Sequence, residues 1–281
     1  MKIIYLVLSK FIPIYVKQFL KNLYGKLTKN YITKKILGDK NAYLKVFNEV
    51  KDQKYPEIDG YIQKNKLPDI NKMFLDDIAL LTQISIKKSE PNYQHGRLIY
   101  SILYKYILEN KNKFKKFLFF DIGTAKGFSS VVIARTAIDA NINFEVNSYD
   151  ILPHSVPMYW NYINDNKGKI TRKDLLKDYT NFTNNINYIN KKVSDDDEIN
   201  IKNNRIHFAF IDASHIYKDV MNDFNFVNKR QKSNDILIFD DVTKGKYNGV
   251  VKLVNEIDDK IYKIEKIMSS NNRGYAIAKK I

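Results

Sequence analysis

The chain has 281 residues, 44% of them hydrophobic, and its 47 Lys and Arg outnumber 31 Asp and Glu for a formal net charge of +16. That apolar share excludes wholesale disorder, and the length suits one large domain with an extension or two small ones. The absence of cysteine excludes a disulfide scaffold, a thiolate zinc site and a cysteine nucleophile, and it fits a reducing cytoplasm.

The charge raises nucleic acid, an anionic membrane or an acidic substrate as partners, but it is unevenly spread. Residues 1–40 hold nine lysines against the single Asp39, a net +8. Within them Ile4, Leu8, Phe11, Ile12, Tyr15, Phe19, Leu23 and Leu27 recur every three or four positions, which predicts an amphipathic helix kinked at Pro13. Lys10, Lys17 and Lys21 interrupt the run of about 20 apolar residues that a membrane span needs. No small-x-small cleavage site follows, so a cleavable signal is not expected either. Two readings stand: residues 1–30 lie on an anionic membrane surface as a peripheral anchor, or the helix packs on the rest of the chain or on a second subunit.

Residues 41–92 read as a helical cap region, short pieces broken by Pro56, Gly60, Pro68 and Pro91. Residues 93–281 read as the main domain. It opens on a helical stripe at Leu98, Ile99, Ile102, Leu103 and Tyr106. Strand-like runs then recur at 117–120, 144–148, 186–189, 207–211 and 236–239, mostly separated by helical stretches. Such alternation predicts an α/β fold, a mostly parallel sheet with helices on both faces. After a helix at 250–257, strands at 261–268 and 274–278 follow with no helix between them. They should pair antiparallel at the sheet edge around the turn Asn271-Asn272-Arg273.

Chemistry gathers at the strand ends. The first strand runs into Asp121, then Gly123 and Gly127 four apart, then a helix over 130–137. Glycines there permit a sharp turn and close approach to a ligand, but the string is not the dinucleotide fingerprint, whose middle glycine is replaced by Ala125. Asp150 ends the second strand about 20 residues further on, where a carboxylate can accept both hydroxyls of a ribose; the alternative is a solvated loop acid. Asp212 and the pair Asp240-Asp241 end two consecutive apolar strands, so three carboxylates could converge. Their repulsion would be relieved by a hard divalent cation, Mg²⁺ above all. Alternatively these acids cap the helices that follow.

These blocks together resemble the class I S-adenosylmethionine-dependent methyltransferases. The nearest branch holds catechol-type and macrolide or aminocoumarin-sugar O-methyltransferases and cephalosporin-hydroxylase-like proteins. The matching stretches are HGRLIY (95–100), FFDIGTAKGFSS (119–130), Asp150, IDASHIYKDVMND (211–223), IFDDVTKGKYNGV (238–250) and GYAIAKK (274–280), in the family's order over residues 93–281. The resemblance implies a Rossmann-like seven-stranded sheet with the last strand antiparallel. It implies S-adenosylmethionine contacts at Asp121, Gly123, Thr124, Ala125, Gly127, Ser129, Asp150, Ile151 and Asp212, with Ser194 and Asp195 at an adenine turn. It implies metal positions at Asp212, Asp240 and Asp241. Two departures stand out: Lys126 replaces a usually small residue, and the turn before Ser194 lacks the usual glycine.

The expected reaction is methyl transfer to a hydroxyl of a small-molecule or glycan-type acceptor, with Asp212 holding a Mg²⁺-chelated hydroxyl and His215 taking its proton. His215 could instead orient the Asp212 loop, and His95 could face the methionine carboxylate. His154 and His207 read as structural. A nucleic-acid methyltransferase is the alternative, disfavoured because half the charge lies outside the catalytic domain and the acid cluster would repel phosphates. A catalytically inactive binding protein of the same fold is the third reading. The sequence leaves room for a homo-oligomer.

Overall fold

Central strands that are apolar along their length need cover on both faces, and the strands Phe117–Ile122, Phe208–Ile211 and Ile236–Phe239 have it. In the computed structural model, which describes residues 35–194, 205–268 and 273–281, the central strand β1 (Phe117–Ile122) pairs in parallel with β2 (Phe144–Tyr149) and β4 (Phe208–Ile211). Next, β3 (Ile186–Ile189) adds outside β2, and β5 (Ile236–Phe239) adds outside β4, both parallel. Finally β7 (Gly274–Lys280) slots antiparallel beside β5, and β6 (Tyr262–Met268) closes that edge against β7. The order is β3-β2-β1-β4-β5-β7-β6.

Successive side chains of a strand point to opposite faces, and the two cores follow that period. Phe117, Phe119, Phe208, Phe210, Ile236 and Ile238 pack on one side. Phe120, Ile122, Ala209, Ile211, Leu237 and Phe239 pack on the other. The first side is covered by α4 (His95–Asn110) and α5 (Phe128–Asp139), the second by α8 (Tyr217–Asn228) and α9 (Asn248–Glu256).

The cap region forms three helices, α1 (Lys40–Val50), α2 (Pro56–Lys64) and α3 (Lys72–Thr82). Asp39 caps α1 by accepting from Ala42 N–H at 2.8 Å, and Asn71 caps α3 by accepting from Phe74 N–H at 3.0 Å. Gly60 does not break the chain as expected. It lies inside α2, where the burial of Ile58 and Ile62 outweighs the roughly 1 kcal/mol that a mid-helix glycine costs. Tyr43, Ile58 and Ile78 join the same core as Phe119, so residues 41–92 pack as part of the sheet's own cover.

The connection from β2 to β3 is long and irregular. It holds the short helices α6 (Arg172–Leu175) and α7 (Thr180–Thr183) and an isolated bridge between Met158 and Ile170. Of the amphipathic extension expected at 1–40, residues 1–34 lie outside the described residues, as do the turn residues Asn271 and Asn272. No helix among the described residues is long and apolar enough to cross a membrane.

Candidate active site

The turn after β1 is built around Asp121, which is fully buried. Its Oδ2 accepts from the hydroxyls of Ser129, at 2.7 Å, and Ser130, while Oδ1 has no partner. Burial raises its pKa, and the serine hydrogen bonds oppose the rise. Gly123 (φ +99°) serves packing more than ligand approach. A Cβ there would stand 2.2 Å from the backbone oxygen of Asp212, so the missing side chain lets the β1 and β4 turns touch. Thr124 shares a 2.9 Å hydroxyl contact with Ser130, and Gly127 sits at the N-cap of α5.

Asp150 closes this turn from β2. Its Oδ2 accepts from Ala125 N–H at 2.7 Å and its Oδ1 from Leu152 N–H at 2.6 Å. On the far side, the buried Arg172 donates to the Ala125 carbonyl at 2.8 Å and the Leu152 carbonyl at 3.0 Å. Arg172 is a site residue that the sequence did not single out, since it sits in the unpatterned β2–β3 connection.

A cavity of about 440 Å³ opens at the carboxyl ends of β1, β2 and β4, lined by Gly123, Ala125, Asp150, Ile151, Asp212 and His215 among others. The strand order reverses between β1 and β4, and open α/β sheets bind ligands at such a switch point. After β3 the wall is supplied by Lys191, Lys192 and Val193; Ser194 is exposed and falls just beyond them, and Asp195 lies outside the described residues. Asp223 also faces this cavity, its pKa pushed up to about 7 by burial.

Beside the cavity the acids meet. Ligand atoms of Asp212, His215 and Asp241 lie within 4.8 Å of one another. His215 Nε2 stands 2.8 Å from Asp241 Oδ2 without hydrogen-bond geometry, and Asp241 Oδ1 is buried with no hydrogen-bond partner. Two donors that close, neither satisfied by the other, suit a cation between them. Asp212 is held well above the usual carboxylate range by burial and by the charges of Asp240 and Asp241.

Asp240, the third acid, turns away from this group. Its Oδ2 is 3.7 Å from His95 Nδ1 and 3.8 Å from the guanidinium of Arg273, and burial followed by Asp241 pushes its pKa up to about 7. Arg273 also lies 3.6 Å from Asp241. Burial works against its charge, but the two acids more than offset that and keep it protonated. In the sequence it read only as a turn residue; the strand register that aims it at the acids is a tertiary fact.

His95 stacks on Phe210 (5.7 Å, 9° between planes) and meets Phe128 edge-on. Burial drives its pKa down to about 3, so it is neutral and sits beneath Asp240 rather than in the cavity wall. His207 accepts from Leu118 N–H at 3.0 Å, and His154 stacks on Tyr188, both in packing roles.

Lys126 points away from the cavity. Its amino group donates to Ser85 Oγ at 2.6 Å and to the Asn161 carbonyl at 2.8 Å. Burial, then repulsion from Lys87, lowers its pKa to about 7, with Asp165 opposing. In the unfolded chain this lysine keeps its proton up to the ordinary 10.5. Between those values the unfolded state binds more protons, so the site's contribution to stability rises with pH from about 7 to 10 and is flat below. Lys126→Met is expected to remove that rise, measured as urea midpoints of chain and variant at pH 6.5, 8 and 9.5. Parallel curves would contradict it.

Residues 120–242 match the model of a family described as a methyltransferase domain. No curated protein matches the sequence significantly. Among solved structures, the O-methyltransferase NovP superposes with a TM-score of 0.51 at 10% identity, covering 74% of this chain and 98% of that one. An O-methyltransferase from Bacillus cereus bound to S-adenosylhomocysteine gives 0.47 at 13% identity, covering 84% and 96%. TomG from Streptomyces achromogenes, bound to S-adenosylmethionine, gives 0.47 at 11% identity, covering 78% and 94%. The matched segment, which runs from β1 to the turn after β5, is a methyltransferase domain by that model. In fold the chain resembles the O-methyltransferase NovP.

Proposed function

We propose that the chain transfers a methyl group from S-adenosylmethionine to a hydroxyl of a small-molecule or glycan-type acceptor, with the help of a divalent cation. The observation that carries this reading is the convergence of Asp212, His215 and Asp241 beside the switch-point cavity. Methyl transfer from a sulfonium is a displacement at an already activated carbon, so the protein mainly aligns nucleophile, methyl and sulfur. Asp150 and the β1 turn would hold the ribose and methionine ends of the cofactor. Its adenine would lie toward Lys191, Lys192 and Val193.

When bound at Asp212 and Asp241, a divalent cation would lower the acceptor hydroxyl's pKa and fix its approach. His215 accepts the hydroxyl proton; its ring lies 4.1 Å from that of Tyr247 and its Nε2 2.8 Å from Asp241 Oδ2. A second, metal-free reading has its own observation: Arg273 already places a positive charge beside Asp240 and Asp241.

Calorimetry with S-adenosylmethionine, with and without Mg²⁺, tests the assignment; no binding would sink it. Asp150→Ala is expected to weaken cofactor binding by about 10- to 100-fold, the cost of losing hydrogen bonds to a charged group. Loss of activity on chelation, restored by Mg²⁺ or Mn²⁺, is the expected result. Activity indifferent to chelator would favour the Arg273 reading.

A further inference from the structure

The turn between β1 and α5 is held in a shape that its own residues do not favour. Gly123, Ala125 and Gly127 all have left-handed backbones, with φ of +99°, +47° and +100°. The two glycines accept that conformation without preferring it, and Ala125 disfavours it. Contacts from outside the turn must therefore fix it. Asp150 accepts from the Ala125 N–H, and Arg172 donates to the Ala125 carbonyl. The next residue, Lys126, supplies a third tie. Its amino group reaches Ser85 Oγ, in the segment after α3, and the Asn161 carbonyl in the β2–β3 connection.

An amine is a costly way to fasten a loop. This one is buried, and both of its acceptors are neutral. Burial and Lys87 work against its charge, and Asp165 offsets them only in part. A methionine would fill similar space without desolvating an amine. A group that is costly to bury, placed beside the turn that lines the cavity, points to binding rather than to stability. We propose that Lys126 is a positioning residue for the cofactor: by tying the turn to Ser85 and Asn161, it preforms the shape that receives S-adenosylmethionine. This rests on the reading of the β1 turn and Asp150 as the cofactor site. Linkage adds a consequence, because a ligand that holds the turn must also hold what the turn is tied to. Asn161 accepts the Ile86 N–H at 2.9 Å, so binding is felt at a backbone amide of the cap that does not line the cavity.

S-adenosylhomocysteine titrated by calorimetry into the full chain, Lys126→Met and Ser85→Ala at pH 6.5 tests this, with urea midpoints measured alongside. Lys126→Met is expected to bind about 10-fold more weakly while its midpoint stays level or rises. Ser85→Ala removes one of the two acceptors and should lose about threefold, with no further loss in the Lys126→Met background. The Ile86 amide resonance should shift when the ligand binds the unsubstituted chain and stay in place in ligand-saturated Lys126→Met. Lys126→Met affinity within about twofold of the unsubstituted chain would overturn the proposal. So would an affinity loss matched by a fallen midpoint, which marks a packing role, or an Ile86 shift that survives the substitution. If Lys126→Met does not fold, unchanged affinity in Ser85→Ala overturns it. Failure of S-adenosylhomocysteine to bind the unsubstituted chain would instead overturn the cofactor reading beneath it.

Discussion

Replacing His215 with alanine is expected to lower kcat by about 10²- to 10⁴-fold, the usual contribution of a positioned general base, while S-adenosylhomocysteine affinity stays within about twofold. The separation follows from where the ring lies. It packs on Tyr247 and approaches Asp241, on the acid side of the cavity, and makes none of the contacts that hold the β1 turn. At 38% side-chain exposure it can reach an acceptor without local unfolding. Raising the pH should recover part of the variant's rate, because solvent hydroxide can then remove the proton that His215 no longer takes. A variant with unchanged kcat, or one whose loss appears wholly as weaker cofactor binding, would remove His215 from the chemistry.

Gly123→Ala should act on the fold rather than on the reaction. Its φ of +99° strains an L-residue by roughly 1–3 kcal/mol. The new Cβ would also overlap the Asp212–Ala213 backbone, with Asp212 atoms at 2.2 and 2.5 Å and Ala213 Cα at 2.6 Å, adding a penalty of roughly 1–3 kcal/mol. Neither neighbour is a flexible side chain, so relief requires the β1 and β4 turns to part. The melting temperature should fall by on the order of 10 °C. Gly245→Ala is the control. Its φ is +81° but nothing lies within 4 Å, so it should show only the backbone part, roughly 1–2 kcal/mol. Equal losses at the two positions would refute the close-approach explanation.

Much of the sheet was readable because its strands announce themselves. The run at 236–239 coincides with β5, since a strand buried on both faces is continuously apolar, and the run at 186–189 coincides with the edge strand β3. The strand-end acids were legible for the same reason, as polar residues that interrupt those runs. What the sequence withheld is relative orientation. Asp240 and Asp241 are neighbours in the chain, yet Asp241 joins His215 while Asp240 turns to His95 and Arg273. The positive φ of Asp241, 57°, marks the local turn between them, and no propensity requires that of an aspartate. The β2–β3 connection was opaque because it lacks both the helical and the strand period, and Arg172 and Asn161 were lost with it.

Asn161 carries a consequence for how such a chain can be altered. Its side-chain oxygen accepts from Tyr43 Oη at 3.0 Å and Ile86 N–H at 2.9 Å, its amide donates to the Ile86 carbonyl, and its own carbonyl receives Ser85 and Lys126. The cap, the β2–β3 connection and the turn after β1 are therefore tied at one residue. A graft that exchanges the cap for a relative's would cut that knot unless positions 43, 85, 126 and 161 travel together. In this scaffold the cap is not a cassette: it inherits its footing from the connection between β2 and β3.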